Sequence, residues 1–232
     1  MLGIPGPSPL DLVTRLGGTQ VRITPWFWLS AVLLGWRAYS NDLGGVDAPG
    51  LFGWCIVVFA TILLHEMGHV WAFRRFGVQA DVVLIAFGGL AVPRRSPRLT
   101  HGQQIVVSAA GPAAQLLLVL VMSLLPWNWL GLLPDNRFGA VAADMTLSLY
   151  WVSLFWAVLN LLPVFPLDGG WIARALLSML LKSGPFWADV IGLIVGGLVA
   201  YFALTKLQSL LATILFAFFA YGHFRSLQQR RR

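Results

Sequence analysis

Cysteine and charge are what this 232-residue chain has least of. Cys55 is the single cysteine, so no disulfide can form within the chain and the compartment cannot be read from thiols. Asp, Glu, Lys and Arg together supply 11% of the residues, against about 25% in an average soluble domain. With 58% hydrophobic residues, too little polar surface is left to clothe a water-soluble fold, and a multi-pass membrane protein is expected. No run of small or polar residues marks a linker, and no internal repeat is visible. The first residues, MLGIPGPSPLDLVTR, carry Gly and Pro early and an acid at Asp11, so a cleaved signal peptide is not expected. The net charge of +7 comes without a basic stripe interleaved with aromatics. Nucleic acid is therefore not an expected partner, and basic residues held on the cytoplasmic side of a bilayer account for the charge.

Six apolar segments are present, near 25–40, 51–73, 103–125, 144–164, 186–204 and 207–224, each close to the roughly 20 residues that cross a bilayer. With the N-terminus inside, thirteen of the sixteen Lys and Arg are cytoplasmic, leaving Arg37, Arg137 and Lys206 outside. Six spans with both termini cytoplasmic follow from that bias, as does a place in the cell membrane. Between the second and third spans, Val78 to Val92 is rich in β-branched residues and contains Phe87-Gly88-Gly89. A short membrane-associated hairpin is expected there, with Thr19 to Thr24 as a further strand. The expected fold is thus an all-α polytopic membrane protein with about six transmembrane helices and this small β element. Its parts are a cytoplasmic N-terminal segment 1–24, one membrane-embedded domain 25–225 and a basic tail 226–232. Residues 169–182 have helical apolar spacing and suit an interfacial helix.

The chemistry-bearing residues lie where a bilayer penalises them. The run LFGWCIVVFATILL, Leu51 to Leu64, is uncharged and leads directly into His65-Glu66-Met67-Gly68-His69. On a helix His65 and His69 share a face and can hold one metal ion, while Glu66 can reach the same site. Catalytic zinc sites usually take three protein ligands. Depth sets Asp42, Asp47, Asp135 and Asp144 on the far side and leaves Asp81, Asp168 and Asp189 on the cytoplasmic side. Local context favours Asp168, because Pro163, Pro166, Gly169 and Gly170 break the helix around it and can turn a carboxylate inward. Plainer uses exist for each acid: Asp168 as the cap of the helix it opens, and Asp189 as a first-turn acid of the fifth span. His101 and His223 sit at segment ends and suit the interface.

HEMGH in an apolar segment, followed about a hundred residues later by NLLPVFPLDGG, resembles the site-2 protease family of intramembrane zinc metalloproteases. Asn160, Pro163, Pro166, Leu167, Asp168 and Gly169 match the family pattern, as do Phe87 to Gly89 and Ser108-Ala109-Ala110-Gly111-Pro112. Gln115 stands where relatives often carry Asn. The resemblance covers roughly Val21 to Lys182, with a three-helix catalytic core at about 51–168. It implies one catalytic zinc ion held by His65, His69 and Asp168, with Glu66 as general base. It also implies a role for Asn160 in holding the oxyanion or substrate backbone, and strand addition of an unwound substrate segment near Val82 to Ala86. The implied partners are a transmembrane protein substrate and the lipid bilayer, in regulated intramembrane proteolysis. No PDZ or cystathionine-synthase-type domain is recognised, so a minimal member is expected. The residues do not set the oligomeric state, a homo-oligomer included.

Overall fold

A four-stranded sheet and seven helices make up the computed structural model, which describes residues 6–40, 45–96 and 98–230. Asp42, Arg231 and Arg232 lie outside the described residues. Two compact units are distinguished, Met1–Pro97 with Ala113–Trp156, and Arg98–Pro112 with Ala157–Arg232.

In the first unit the strands β1 (Leu12–Leu16), β2 (Thr19–Ile23), β3 (Ala80–Ile85) and β4 (Gly88–Pro93) lie in sequence order. β1–β2 and β3–β4 are antiparallel, whereas β2 and β3 are parallel. A parallel pair needs a long crossover, and here it holds two helices, α1 (Pro25–Tyr39) and α2 (Ala48–Arg75). The β1–β2 turn is Gly17-Gly18, both at positive φ, where only glycine is unstrained. β2 alternates as a half-buried strand should, with Thr19, Val21 and Ile23 buried and Gln20 and Arg22 less so.

α2 begins on Asp47, whose carboxylate accepts from the Gly50 amide at 3.1 Å, and ends with Arg74 and Arg75 in its last turn. That polarity suits the helix dipole at both ends. Asp47 also pairs with Arg137, and the Tyr39 hydroxyl donates to Asp144. Asp47 caps α2, Tyr39 ends α1 and Arg137 begins α4 (Arg137–Asn160), whereas Asp144 lies two turns into α4. Two of the acids expected on the far side, Asp47 and Asp144, thus have their partners within this unit.

The second unit contains α5 (Asp168–Leu180), α6 (Gly184–Thr205) and α7 (Leu210–Gln229). α3 (His101–Leu124) and α4 each contribute residues to both units. Val164, Ala200, Phe216 and Phe219 form the buried centre of the second unit.

Among the described residues, five helices are long and apolar enough to cross a membrane: α2, α3, α4, α6 and α7. The expected first span, 25–40, is the 15-residue α1. At 1.5 Å per residue it reaches about 22 Å, short of a hydrocarbon core of about 30 Å. The fourth span starts at Arg137 rather than 144. Asp11 is tied down by the Arg22 guanidinium at 3.1 Å, and the segment before β2 supplies strand β1. A six-residue 3₁₀ turn at Trp127–Leu132 has no counterpart in the apolar pattern.

Candidate metal centre

His65 and His69 are one helical turn apart on α2, both buried, at 3% and 6% exposure. Their Nε2 atoms lie 3.1 Å apart with the rings edge to face. Two nitrogens on a tetrahedral zinc at 2.0–2.1 Å would stand about 3.3 Å apart, so the pair has the spacing such an ion requires. The outward nitrogen of His65 is also fixed. Its Nδ1 is 2.9 Å from Gln115 Oε1, and the Gln115 amide nitrogen donates to the Thr61 carbonyl at 3.3 Å. With its NH2 committed to a carbonyl, Gln115 presents oxygen to the ring and accepts the Nδ1 proton. Nε2 is left with its lone pair for a metal. Gln115 is fully buried on α3, and its departure from the family's Asn leaves this hydrogen bond in place.

Glu66 is buried at 5%. A Cβ built on Gly89 of β4 would lie 2.6 Å from its Cγ and 2.8 Å from Oε1. The Phe-Gly-Gly motif therefore does two jobs. Phe87 takes the positive φ of the hairpin turn, and Gly89 is bare so that the glutamate can lie against the strand. The sequence shows the first job and gives no sign of the second.

Asp168 is the first residue of α5, after the cap residue Leu167. Its carboxylate sits in the first turn, where the helix dipole favours negative charge, and it is not the capping residue itself. The glycines beside it are required by close approach. A Cβ on Gly169 would meet the Leu161 carbonyl at 2.1 Å, and one on Gly170 the Phe165 nitrogen at 2.7 Å. The proline-rich turn lies directly on the start of α5. Asn160 closes α4 and is buried at 8%.

His65 and His69 lie in the first unit, and Asp168, the third ligand that the resemblance implies, lies in the second. Two imidazoles and a carboxylate are a donor set used by catalytic zinc. The other two acids that depth left as candidates, Asp81 and Asp189, have partners of their own. Asp81 accepts two bonds from the Arg94 guanidinium, at 2.7 and 2.8 Å, and a third from the Gln20 amide at 2.9 Å. Arg94 holds its carboxyl below the usual carboxylate range. Asp189, buried at 4%, pairs with His223. α6 begins at Gly184, so Asp189 lies past the first turn in which it was expected, and His223, expected at an interface, is buried at 5%.

A family model for peptidase family M50 matches residues 53–128 and 135–204, well over half the chain. The chain belongs to peptidase family M50, the site-2 protease family. Related M50 proteins are named for zinc. Zinc metalloprotease MJ0392 of Methanocaldococcus jannaschii is 31% identical over 124 residues, covering 53% of this chain and 34% of its own length. Rip3 of Mycobacterium tuberculosis is 32% identical over 126 residues, covering 54% of this chain and 31% of its own. Rip2 of Mycolicibacterium smegmatis is 30% identical over 196 residues, covering 70% and 68%. The names of these last two describe candidate zinc metalloproteases. The chain spans about a third of the length of the first two relatives.

Proposed function

We propose that this M50 chain is an intramembrane zinc endopeptidase. It hydrolyses a peptide bond within or near a transmembrane segment of a membrane protein substrate, in regulated intramembrane proteolysis. The observation that carries the reading is the convergent pair of buried Nε2 atoms with a buried glutamate on the same helix, next to a sheet edge.

In this reading His65, His69 and Asp168 hold one zinc ion. Zinc, when bound, acts as a Lewis acid on the scissile carbonyl and brings the pKa of a water ligand toward about 7. Glu66 takes a proton from the attacking water and returns it to the leaving amine. Gln115 keeps the His65 ring in one tautomer, and the Asn160 amide steadies the substrate backbone or the developing oxyanion. β4 is an edge strand, so an unwound substrate segment can add to it as a further strand. Because Gly89 of β4 lies against Glu66, such a strand would bring its peptide bonds to the base.

The reading takes the membrane part as a single catalytic domain, with α1 completing six spans and both termini cytoplasmic. α1 leaves β2 beside the hairpin, where the Thr24 amide donates to the Leu84 carbonyl, and ends where Tyr39 meets Asp144. Trp26, Leu29, Leu33 and Trp36 on it are exposed, as lipid-facing residues would be. Co-expression of a tagged single-span substrate with the wild type and with Glu66→Gln tests the proposal. Cleavage by the wild type alone is expected, and equal cleavage by both would remove the basis for it.

A further inference from the structure

Histidine 223, nineteen residues beyond the end of the family match, lies at the centre of a buried polar chain in the second unit. Its Nε2 accepts a hydrogen bond from the Phe165 backbone N–H at 2.9 Å. Its Nδ1 is 3.1 Å from Asp189 Oδ1 on α6. The other carboxylate oxygen of Asp189 accepts from the Ser226 hydroxyl at 2.7 Å and from the Arg230 guanidinium at 3.2 Å. Because Nε2 accepts from an amide, the ring proton is on Nδ1 and is donated to the carboxylate. Asp189 fixes that tautomer. Gly192 makes room for the ring: a Cβ there would sit 2.2 Å from Nε2.

The amide so held belongs to the turn that delivers Asp168. Around it the backbone closes on itself, Val164 N–H to the Leu162 carbonyl and Leu167 N–H to the Val164 carbonyl. Phe165 instead points its N–H at a side chain carried by the last helix. We infer that Asp189 and His223 are positioning residues: through the Phe165 amide they hold the 163–167 turn, and thereby set the carboxylate of Asp168 for metal binding. The inference rests on the reading of Asp168 as a ligand. It gives α6 and α7 a task in the chemistry besides packing. An ordinary buried ion pair would need no bond to this turn, and a turn held only by packing would need no imidazole with a fixed tautomer.

The test measures zinc affinity of the full chain in detergent micelles by competition with a chromophoric chelator, with the cobalt absorption spectrum as a second readout of the ligand field. His223→Ala removes the acceptor and should weaken zinc binding about tenfold, the low end for residues that support a ligand, and alter the cobalt bands. His223→Gln places an amide oxygen near the position of Nε2 and should restore both to near wild type. Wild-type affinity in His223→Ala, or equal weakening in both variants, overturns the inference, because a merely structural role would not follow the acceptor. Should His223→Ala not fold, Asp189→Leu asks the same question by removing the acceptor that fixes the tautomer, and undiminished zinc affinity there overturns it. His65→Ala and Asp168→Ala run alongside. If they bind zinc like the wild type, the ligand assignment itself fails, whatever His223 does.

Discussion

Replacing Gly89 by alanine separates catalysis from metal binding more cleanly than removing a ligand. The added methyl carbon would start 2.6 Å from Glu66 Cγ, 2.8 Å from Oε1 and 2.9 Å from Cδ, where carbon atoms prefer about 3.5–4.0 Å. Something must give by about 1 Å. Glu66 has rotatable bonds, whereas β4 is locked by pairing from Ala80↔Pro93 to Ile85↔Gly88, so the carboxylate moves. Stability should change little, but a displacement of about 1 Å at a reacting group costs about 10²-fold in rate, or about 2.7 kcal/mol of barrier. That is within the 10²–10⁴-fold that a general base contributes. The assay is cleavage of a tagged single-span substrate by purified protein, quantified on gels, with zinc content measured on the same samples by elemental analysis. The expected result is a kcat about a hundredfold lower at unchanged zinc stoichiometry. Full activity would refute the placement of Glu66 against β4. Activity falling only in step with lost zinc would refute its role as base.

Gln115→Leu keeps the bulk of the side chain and removes both hydrogen bonds, so zinc affinity should fall about 10–100-fold, read by chelator competition. Arg94→Gln strips Asp81 of the guanidinium that lowers its pKa. Between the folded pKa and the ordinary value near 3.9 the unfolded chain binds more protons, so this pair stabilises fully above that ordinary value and is lost as pH falls through the folded one. Thermal unfolding should therefore show the variant less stable at neutral pH, with the gap closing in acid; a gap that widened in acid would contradict this sign. Reporter fusions at the two termini should both read cytoplasmic, and opposite sides would mean that α1 does not cross.

How far the sequence discloses this molecule differs from element to element. α2 was legible because a bilayer leaves few reasons for His65, Glu66 and His69 to follow fourteen uncharged residues. α6 and α7 were legible from apolar length alone. α1 was read as a span from composition, which registers apolarity and does not register that the helix has 15 residues. β1 was missed because Leu12 to Leu16 is too short for a period to register, and its pairing depends on the Gly17-Gly18 turn. The start of α4 at Arg137 was missed because Phe138 to Ala143 is rich in Gly and Ala, which add little to an apolar run, although alanine is the strongest helix former. The partners of His223 were out of reach for a different reason. Asp189, Ser226, Arg230 and Phe165 are joined to it by tertiary contact, and a buried Asp–His pair has no spacing signature.

Partner type separates the acids better than depth does. Asp11, Asp47, Asp81 and Asp189 each take a guanidinium, from Arg22, Arg137, Arg94 and Arg230, and Asp144 takes a phenol. A carboxylate with a cation at hand has its charge answered, and a metal would have to compete with a permanent one. In the proposed reading Asp168 would share its ion with two imidazoles, which are neutral when they ligate and add no charge of their own. Two neutral nitrogens and one carboxylate would leave a divalent ion with a net charge of +1, enough to polarise a carbonyl and acidify a water. A second carboxylate ligand would cancel that charge. In that reading Glu66 would do best near the metal but not on it, and the bare backbone of Gly89 gives it somewhere else to lie.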